Sequence, residues 1–169
     1  REQNSAALFL DRDGVVVEEV NYLHRIEDLR LIPGAAAAIS RANTRSIPVV
    51  MVTNQSGIGR GYYNEQAVHL LHNQMNTDLV EIDAHIDEFT FCPHHPKEAQ
   101  PEYLKACDCR KPAPGMLLTL IEKWDIDPSQ SLMIGDNDTD VAAAIAANVS
   151  GHLFSDGNLR EFLVPLLSA

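Results

Sequence analysis

Apolar residues in this chain gather in short runs closed by polar turns, with longer stretches of helical spacing between them. Ala6-Ala7-Leu8-Phe9-Leu10 runs into Asp11-Arg12-Asp13-Gly14, the pattern of a buried strand ending in a turn. Pro33-Gly34 precedes good helix formers over 35–45, and the β-branched run over 47–52 predicts a second strand closed by Thr53-Asn54-Gln55-Ser56-Gly57. Asn64 is placed to cap a helix over 65–81, where Val68, Leu71, Met75 and Leu79 keep helical spacing; Ile86 to Phe91 reads as another strand. The segment 92–114 has no apolar periodicity. Beyond it, 116–124 reads as helix, 131–134 as a strand ending at Gly135-Asp136, and 141–148 as an Ala-rich helix before His152-Leu153-Phe154.

Strands alternating with helices predict an α/β fold, a Rossmann-like parallel sheet between two helical layers, in which ligands collect at the carboxyl ends of the strands. The polar clusters all fall there. No repeat, low-complexity tract or Gly/Ser linker interrupts the 169 residues, so 1–169 is expected to be a single domain with 92–109 as an inserted loop.

Lys plus Arg is 13 and Asp plus Glu is 24, a net charge of −11. That balance argues against nucleic acid and against an anionic membrane surface, and an anionic substrate must be met by local cations. No apolar run approaches the roughly 18 residues of a membrane span, and Arg1-Glu2-Gln3-Asn4-Ser5 leads into too short an apolar stretch for a secretory signal. The expectation is a cytoplasmic monomer. Three cysteines, all between Cys92 and Cys109, cannot pair off fully as disulfides and hint at metal.

Asp11 and Asp13 stand one residue apart at a strand end, so two carboxylates on one side of an extended chain demand a cation. An isolated Asp-x-Asp-Gly is more often only a turn. Here Asp136, with Asp138 and Asp140, follows another strand and converges on the same sheet edge, and three oxygens with waters suit octahedral Mg²⁺. Thr53 offers a hydroxyl, residues 54–57 offer backbone N–H groups and Lys111 offers an ammonium, a set that suits a phosphoryl dianion. Cys92-Pro93-His94-His95-Pro96 and Cys107-Asp108-Cys109 supply three thiols and an imidazole, a structural Zn²⁺ set in which spacing does not choose between His94 and His95. The remaining histidines, His69, His72, His85 and His152, read as surface or satisfied core residues. A receiver-type signalling domain shares the acidic pair, a Thr and a Lys, but needs an acceptor Asp where this chain has Thr53 or Cys92. A zinc-bearing nucleic-acid module conflicts with the charge.

In order along the chain, Asp11-Arg12-Asp13-Gly14, Thr53, Lys111 and Gly135-Asp136 through Asp140 resemble the motifs of the haloacid dehalogenase-type phosphatase superfamily, over nearly the whole length. The resemblance implies a nucleophilic Asp11 that forms an aspartyl phosphate, and an Asp13 that protonates the leaving oxygen and then activates water. It also implies Mg²⁺ held by Asp11, the Asp13 backbone carbonyl and Asp136, with Thr53 and Lys111 on the phosphoryl group. Cys-Pro-His-His-Pro and Cys-Asp-Cys-Arg-Lys-Pro narrow the likeness to the branch of heptose bisphosphate and histidinol-phosphate phosphatases, implying Zn²⁺ on Cys92, His94, Cys107 and Cys109. The twelve residues between His94 and Cys107 resemble the heptose type. By the same likeness the substrate is a small sugar bisphosphate that loses its C7 phosphate, contacted by Glu19, Val20, Asn21, Tyr22, Asn54, Gln55, Ser56, Arg110 and Asn137. Glu19 and Val20 stand where the family often has Asp-His, and Asn137 where it often has Lys; these bear on sugar recognition and leave the phosphoryl machinery intact. The intervals from Gly14 to Thr53 and from Thr53 to Lys111 leave no room for a cap domain, so the expected form is capless with an open site. Arg110 is the first candidate for a second phosphate, and Arg25 and Arg60 are read as solvated surface cations.

Overall fold

Successive side chains of a strand face opposite ways, and the short apolar runs use both faces. In the computed structural model, which describes residues 5–167, Leu8, Phe9 and Leu10 form β1 (Leu8–Leu10) and are fully buried. Leu8 and Leu10 join a core on one side of the sheet, and Phe9 joins a second core on the other. Such two-sided burial is what an apolar run without polar alternation requires. The reading of Arg1 to Asn4 as part of no leader lies outside the described residues.

The chain continues through α1 (Ala35–Thr44), β2 (Val49–Asn54), the single turn α2 (Ser56–Gly59), α3 (Glu65–Val80) and β3 (Glu88–Cys92). It then forms α4 (Gly115–Lys123), β4 (Leu132–Gly135), α5 (Asp138–Ala146), β5 (Ser150–Leu153) and α6 (Leu159–Leu167). The five strands make one parallel sheet in the order β3-β2-β1-β4-β5. Ile39 of α1, Leu71 and Met75 of α3 and Leu163 of α6 pack with Leu8, Leu10 and Met51. On the opposite face, Met116, Leu117 and Leu120 of α4 and Ala143 and Ala144 of α5 pack with Phe9, Val50, Val52 and Met133. Each large side chain buried this way contributes about 1.5–3 kcal/mol.

β1 is flanked by β2 and β4, so the order of the sheet reverses beside it and a crevice opens at the carboxyl ends of these strands. Asp11 follows β1 directly, Thr53 lies near the end of β2, and Asp136 follows β4 directly.

The predicted alternation of elements is present, with shifts that have physical causes. β2 runs two residues beyond Val52 because Thr53 and Asn54 pair with Phe91 and Cys92 of β3. α5 starts at Asp138 rather than Val141, because Asn137 and Asp140 form a reciprocal capping box. β5 and α6 were not anticipated: β5 is a half-exposed edge strand, Ser-Gly-His-Leu, and α6 carries Pro165 within an otherwise helical Leu159, Leu163, Leu167 stripe. No helix among the described residues is long and apolar enough to cross a membrane.

Candidate active site

The turn after β1 places the first acids. The N–H groups of Val16 and Val17 both donate to the Arg12 carbonyl, at 3.0 and 3.1 Å, and fold the chain back on itself. Gly14 takes a φ of +84°, and a Cβ there would lie 2.1 Å from Asp136 Oδ2, so only glycine lets the two loops meet. Asp11, Asp136 and Asp140 bring carboxylate oxygens within 4.8 Å of one another.

Lys111 answers that charge. Its Nζ donates to Asp11 Oδ1 at 3.0 Å, to Asp140 Oδ1 at 2.6 Å and to the Val52 carbonyl at 2.8 Å, and the residue is 3% exposed. Burial opposes its charge, but Asp11 and Asp140 outweigh burial and hold Lys111 above the ordinary lysine value. Burial and then Asp11 raise Asp140. Partial burial and Asp11 also push Asp136 up to about 7, so the acids outnumber the cation that serves them. Asp140 is already committed to Lys111 and to the N–H groups of Asp136 and Asn137, at 3.1 Å each. Asp11 and Asp136 therefore have oxygens to spare, a hard-oxygen donor set that fits Mg²⁺.

Asp13 has different neighbours. Arg12, 1% exposed, grips it with Nε at 3.1 Å and Nη2 at 3.2 Å, and Gln55 Nε2 donates to it at 3.3 Å. Gln55 Nε2 also donates to Thr53 Oγ1 at 2.9 Å, while Tyr63 Oη donates to Gln55 Oε1 at 2.6 Å and thereby fixes which way the amide faces. The Asp13 side chain is thus turned to Arg12 and Gln55, and it is not part of the Asp11, Asp136 and Asp140 cluster.

A cleft of about 290 Å³ opens beside Asp13 and is lined by Glu19, Val20, Asn21, Tyr22, Asn54, Gln55 and Ser56. All seven were singled out from the sequence. Asn54 lines the cleft but spends its side chain on Lys111, accepting from the Lys111 N–H at 3.0 Å and donating to its carbonyl at 3.1 Å. The expected spare N–H of Gln55 is likewise taken, by the Cys92 carbonyl at 2.7 Å. Asn137 lies outside the cleft lining, and its side-chain oxygen accepts from the N–H of Thr139 to cap α5. Arg110 also stands outside that lining, with a buried Nη1 that has no hydrogen-bond partner among the described residues. Arg60 is held by Glu98 at 2.7 Å and Arg25 lies 3.4 Å from Glu27, so neither is a free cation.

The thiols gather as the spacing suggested. Cys92, Cys107 and Cys109 Sγ and His94 Nδ1 lie within 4.8 Å of one another, with His94 Nδ1 at 3.6 Å from Cys92 and 3.4 Å from Cys109. His95 is settled elsewhere, its Nδ1 accepting from the N–H groups of Lys97 and Glu98, so the choice left open by spacing falls on His94. Hydrogen bonding from Cys92, ahead of that from His94 and Cys107, lowers Cys109 to about 5, while its bond to Cys109 and burial raise Cys92. Three sulfurs and an imidazole so close form the soft donor set of a tetrahedral Zn²⁺ site.

Three residues of this region carried no role in the sequence reading. Asp140 was visible only as the last acid of the Gly135-Asp136 through Asp140 run, ahead of the helix expected from Val141. Tyr63 had no signal beyond its nearness to the 53–57 turn. His72, read as a surface or satisfied core residue, is buried, and its Nε2 lies 3.3 Å from Arg12 Nη1, a contact between residues sixty positions apart that no local pattern announces.

The model of the haloacid dehalogenase-like hydrolases matches residues 1–148. A D-glycero-beta-D-manno-heptose-1,7-bisphosphate 7-phosphatase of Rhodopseudomonas palustris is 42% identical over 161 residues, 95% of this chain and 89% of the relative. A D-glycero-alpha-D-manno-heptose-1,7-bisphosphate 7-phosphatase of Photorhabdus laumondii is 40% identical over 83% of this chain and 77% of the relative. Among solved structures, D,D-heptose 1,7-bisphosphate phosphatase from B. bronchiseptica, complexed with magnesium and phosphate, superposes with a TM-score of 0.79 at 30% identity, covering 95% of this chain and 86% of that one. With its parallel sheet reversing at β1 and its acids gathered at that crevice, the chain belongs to the haloacid dehalogenase-like hydrolases.

Proposed function

We propose that this chain is a Mg²⁺-dependent phosphatase that removes the C7 phosphate of D-glycero-D-manno-heptose 1,7-bisphosphate. The observation that carries the reading is the separation of two acids one residue apart. Asp11 faces Lys111, held as a cation by its acid neighbours, and Asp13 faces Arg12 and Gln55. Asp11 is the nucleophile: its carboxylate oxygen attacks phosphorus, the bond to the C7 oxygen breaks, and Asp13 delivers its proton to that oxygen. Asp13, now a carboxylate, takes a proton from the water that attacks the aspartyl phosphate, and inorganic phosphate leaves with Asp11 restored. Lys111 and the Thr53 hydroxyl stabilise the equatorial oxygens. Asp11, the Asp13 carbonyl and Asp136 would hold Mg²⁺, which when bound offsets the repulsion between Asp11 and the phosphate dianion.

The substrate class is supported by the names of the relatives and by the loops around the cleft. Glu19, Asn21, Tyr22 and Ser56 offer polar groups to a sugar, and Arg110, outside that lining, is the cation assigned to the second phosphate. Cys92, His94, Cys107 and Cys109 would hold Zn²⁺ as a brace for the loop that delivers Arg110 and Lys111. Histidinol phosphate is the alternative substrate, disfavoured by the length of that loop.

The test is rapid-quench trapping of ³²P on the protein during turnover. Wild type is expected to carry acid-stable label, and Asp11→Asn to carry none while losing activity by about a thousandfold or more. A labelled, active Asp11→Asn protein overturns the assignment.

A further inference from the structure

Arg12 is almost completely buried, and its guanidinium is used on every side. Nε and Nη2 hold the two oxygens of Asp13, Nη2 also donates to the Leu23 carbonyl at 3.0 Å, and Nη1 points at His72 Nε2, 3.3 Å away. We propose that His72, on α3, is a positioning residue for the acid and base Asp13, acting through Arg12. The proposal rests on the reading of Asp13 given above.

A planar fork that meets a carboxylate with one edge leaves its remaining N–H groups pointing away from it. In this protein Nη1 points into a wall built from α3 and β3, where an unpaired charged donor is costly. His72 supplies the acceptor. Its ring is 3% exposed and stacks on Phe89 with centroids 4.6 Å apart, with Phe91 tilted against it at 6.3 Å, so it cannot follow Arg12 if Arg12 moves. Arginine does not give up a proton, so Nε2 must present its lone pair and the ring proton sits on Nδ1. That Nδ1 is buried with no hydrogen-bond partner among the described residues. The one polar contact of this buried ring among the described residues is therefore the one Nε2 makes with Arg12. Burial, with the charge of Arg12, lowers the ring to about 3, consistent with a neutral acceptor at working pH.

The consequence is a fixed orientation for the Asp13 carboxyl, gripped by Arg12 on one side and by Gln55 on the other. Without the acceptor, Arg12 loses its outer anchor and the proton of Asp13 reaches the leaving oxygen less often. This matters for a sugar alkoxide, a poor leaving group that needs its proton, and little for p-nitrophenolate, which departs without one.

The test compares kcat/KM on heptose 1,7-bisphosphate and on p-nitrophenyl phosphate, with the full chain saturated in Mg²⁺, because kcat/KM reads the first phosphoryl transfer. His72→Phe keeps a stacked ring and removes the acceptor; it is expected to lose about tenfold on the sugar ester, through kcat rather than KM, and under about twofold on the aryl ester. His72→Gln restores an acceptor and is expected to recover most of the difference. Equal losses on both esters, or no loss on either, overturn the proposal. If His72→Phe does not fold, His72→Met fills the space without an acceptor and carries the same comparison. Asp13→Asn separates the two claims: it must discriminate between the esters more strongly than any His72 variant, and if it does not, the reading of Asp13 itself fails.

Discussion

At the scale of single residues, the site works by giving chemically identical groups different neighbours. Asp11, Asp13, Asp136 and Asp140 are all aspartates within one small region, yet one faces a lysine, one an arginine, one is raised to about 7 and one is locked to Lys111 and a helix cap. Burial of His72 adds a prediction about acid. The folded protein keeps this ring neutral down to about pH 3, whereas in the unfolded chain it takes up a proton below about 6.5. A depressed pKa in the folded state means that this contribution is intact above about pH 6.5 and is lost as pH falls toward 3. Urea unfolding at a series of pH values is therefore expected to show wild type losing stability over that window more steeply than His72→Gln, by up to about 1.4 kcal/mol per pH unit. Parallel curves would show that His72 titrates normally.

At the scale of elements, Asp11, Thr53 and Asp136 are placed by the ends of β1, β2 and β4, and Lys111 by the loop that precedes α4. The Asn54 clamp on the Lys111 main chain ties β2 to the loop after the thiol cluster, and Cys92, the last residue of β3, belongs to both sheet and cluster. The zinc proposed for this cluster would therefore brace the loop that carries Lys111. Cys107→Ala is expected to lower zinc content below one per chain, to expose 93–110 to limited proteolysis and to reduce activity, while the sheet keeps its far-ultraviolet circular dichroism. Freshly purified, unchelated protein that contains no zinc would remove this role. The strand ends were legible from sequence because a short apolar run closed by acids has few other interpretations. The early start of α5 was not, because a capping box from Asn137 to Asp140 looks the same as a polar turn until the helix is seen. His72 and Arg12 meet through tertiary packing of α3 against the turn after β1, and no spacing rule reaches across sixty residues.

At the scale of the whole molecule, a parallel sheet that reverses at β1 gathers the loops after β1, β2 and β4, and a chain with a net charge of −11 sets two buried cations there, Lys111 against Asp11 and Arg12 against Asp13. The likeness in sequence could name the chemistry because the motifs sit on strand ends fixed by the sheet. It reached the substrate less directly, since Glu19, Val20 and Asn21 are exposed loop residues whose identity the fold does not dictate. The relatives act, by their names, on both the alpha and the beta form of the heptose ester at nearly equal identity, so overall similarity does not choose an anomer. The most direct measurement is phosphate release, with Mg²⁺ and with EDTA, from both anomers of heptose 1,7-bisphosphate beside histidinol phosphate and fructose 1,6-bisphosphate. The account predicts metal-dependent release with a kcat/KM for at least one heptose anomer about a hundredfold above the other esters. Preference for histidinol phosphate, or equal and poor turnover of all four, would contradict the assignment of a heptose bisphosphate substrate.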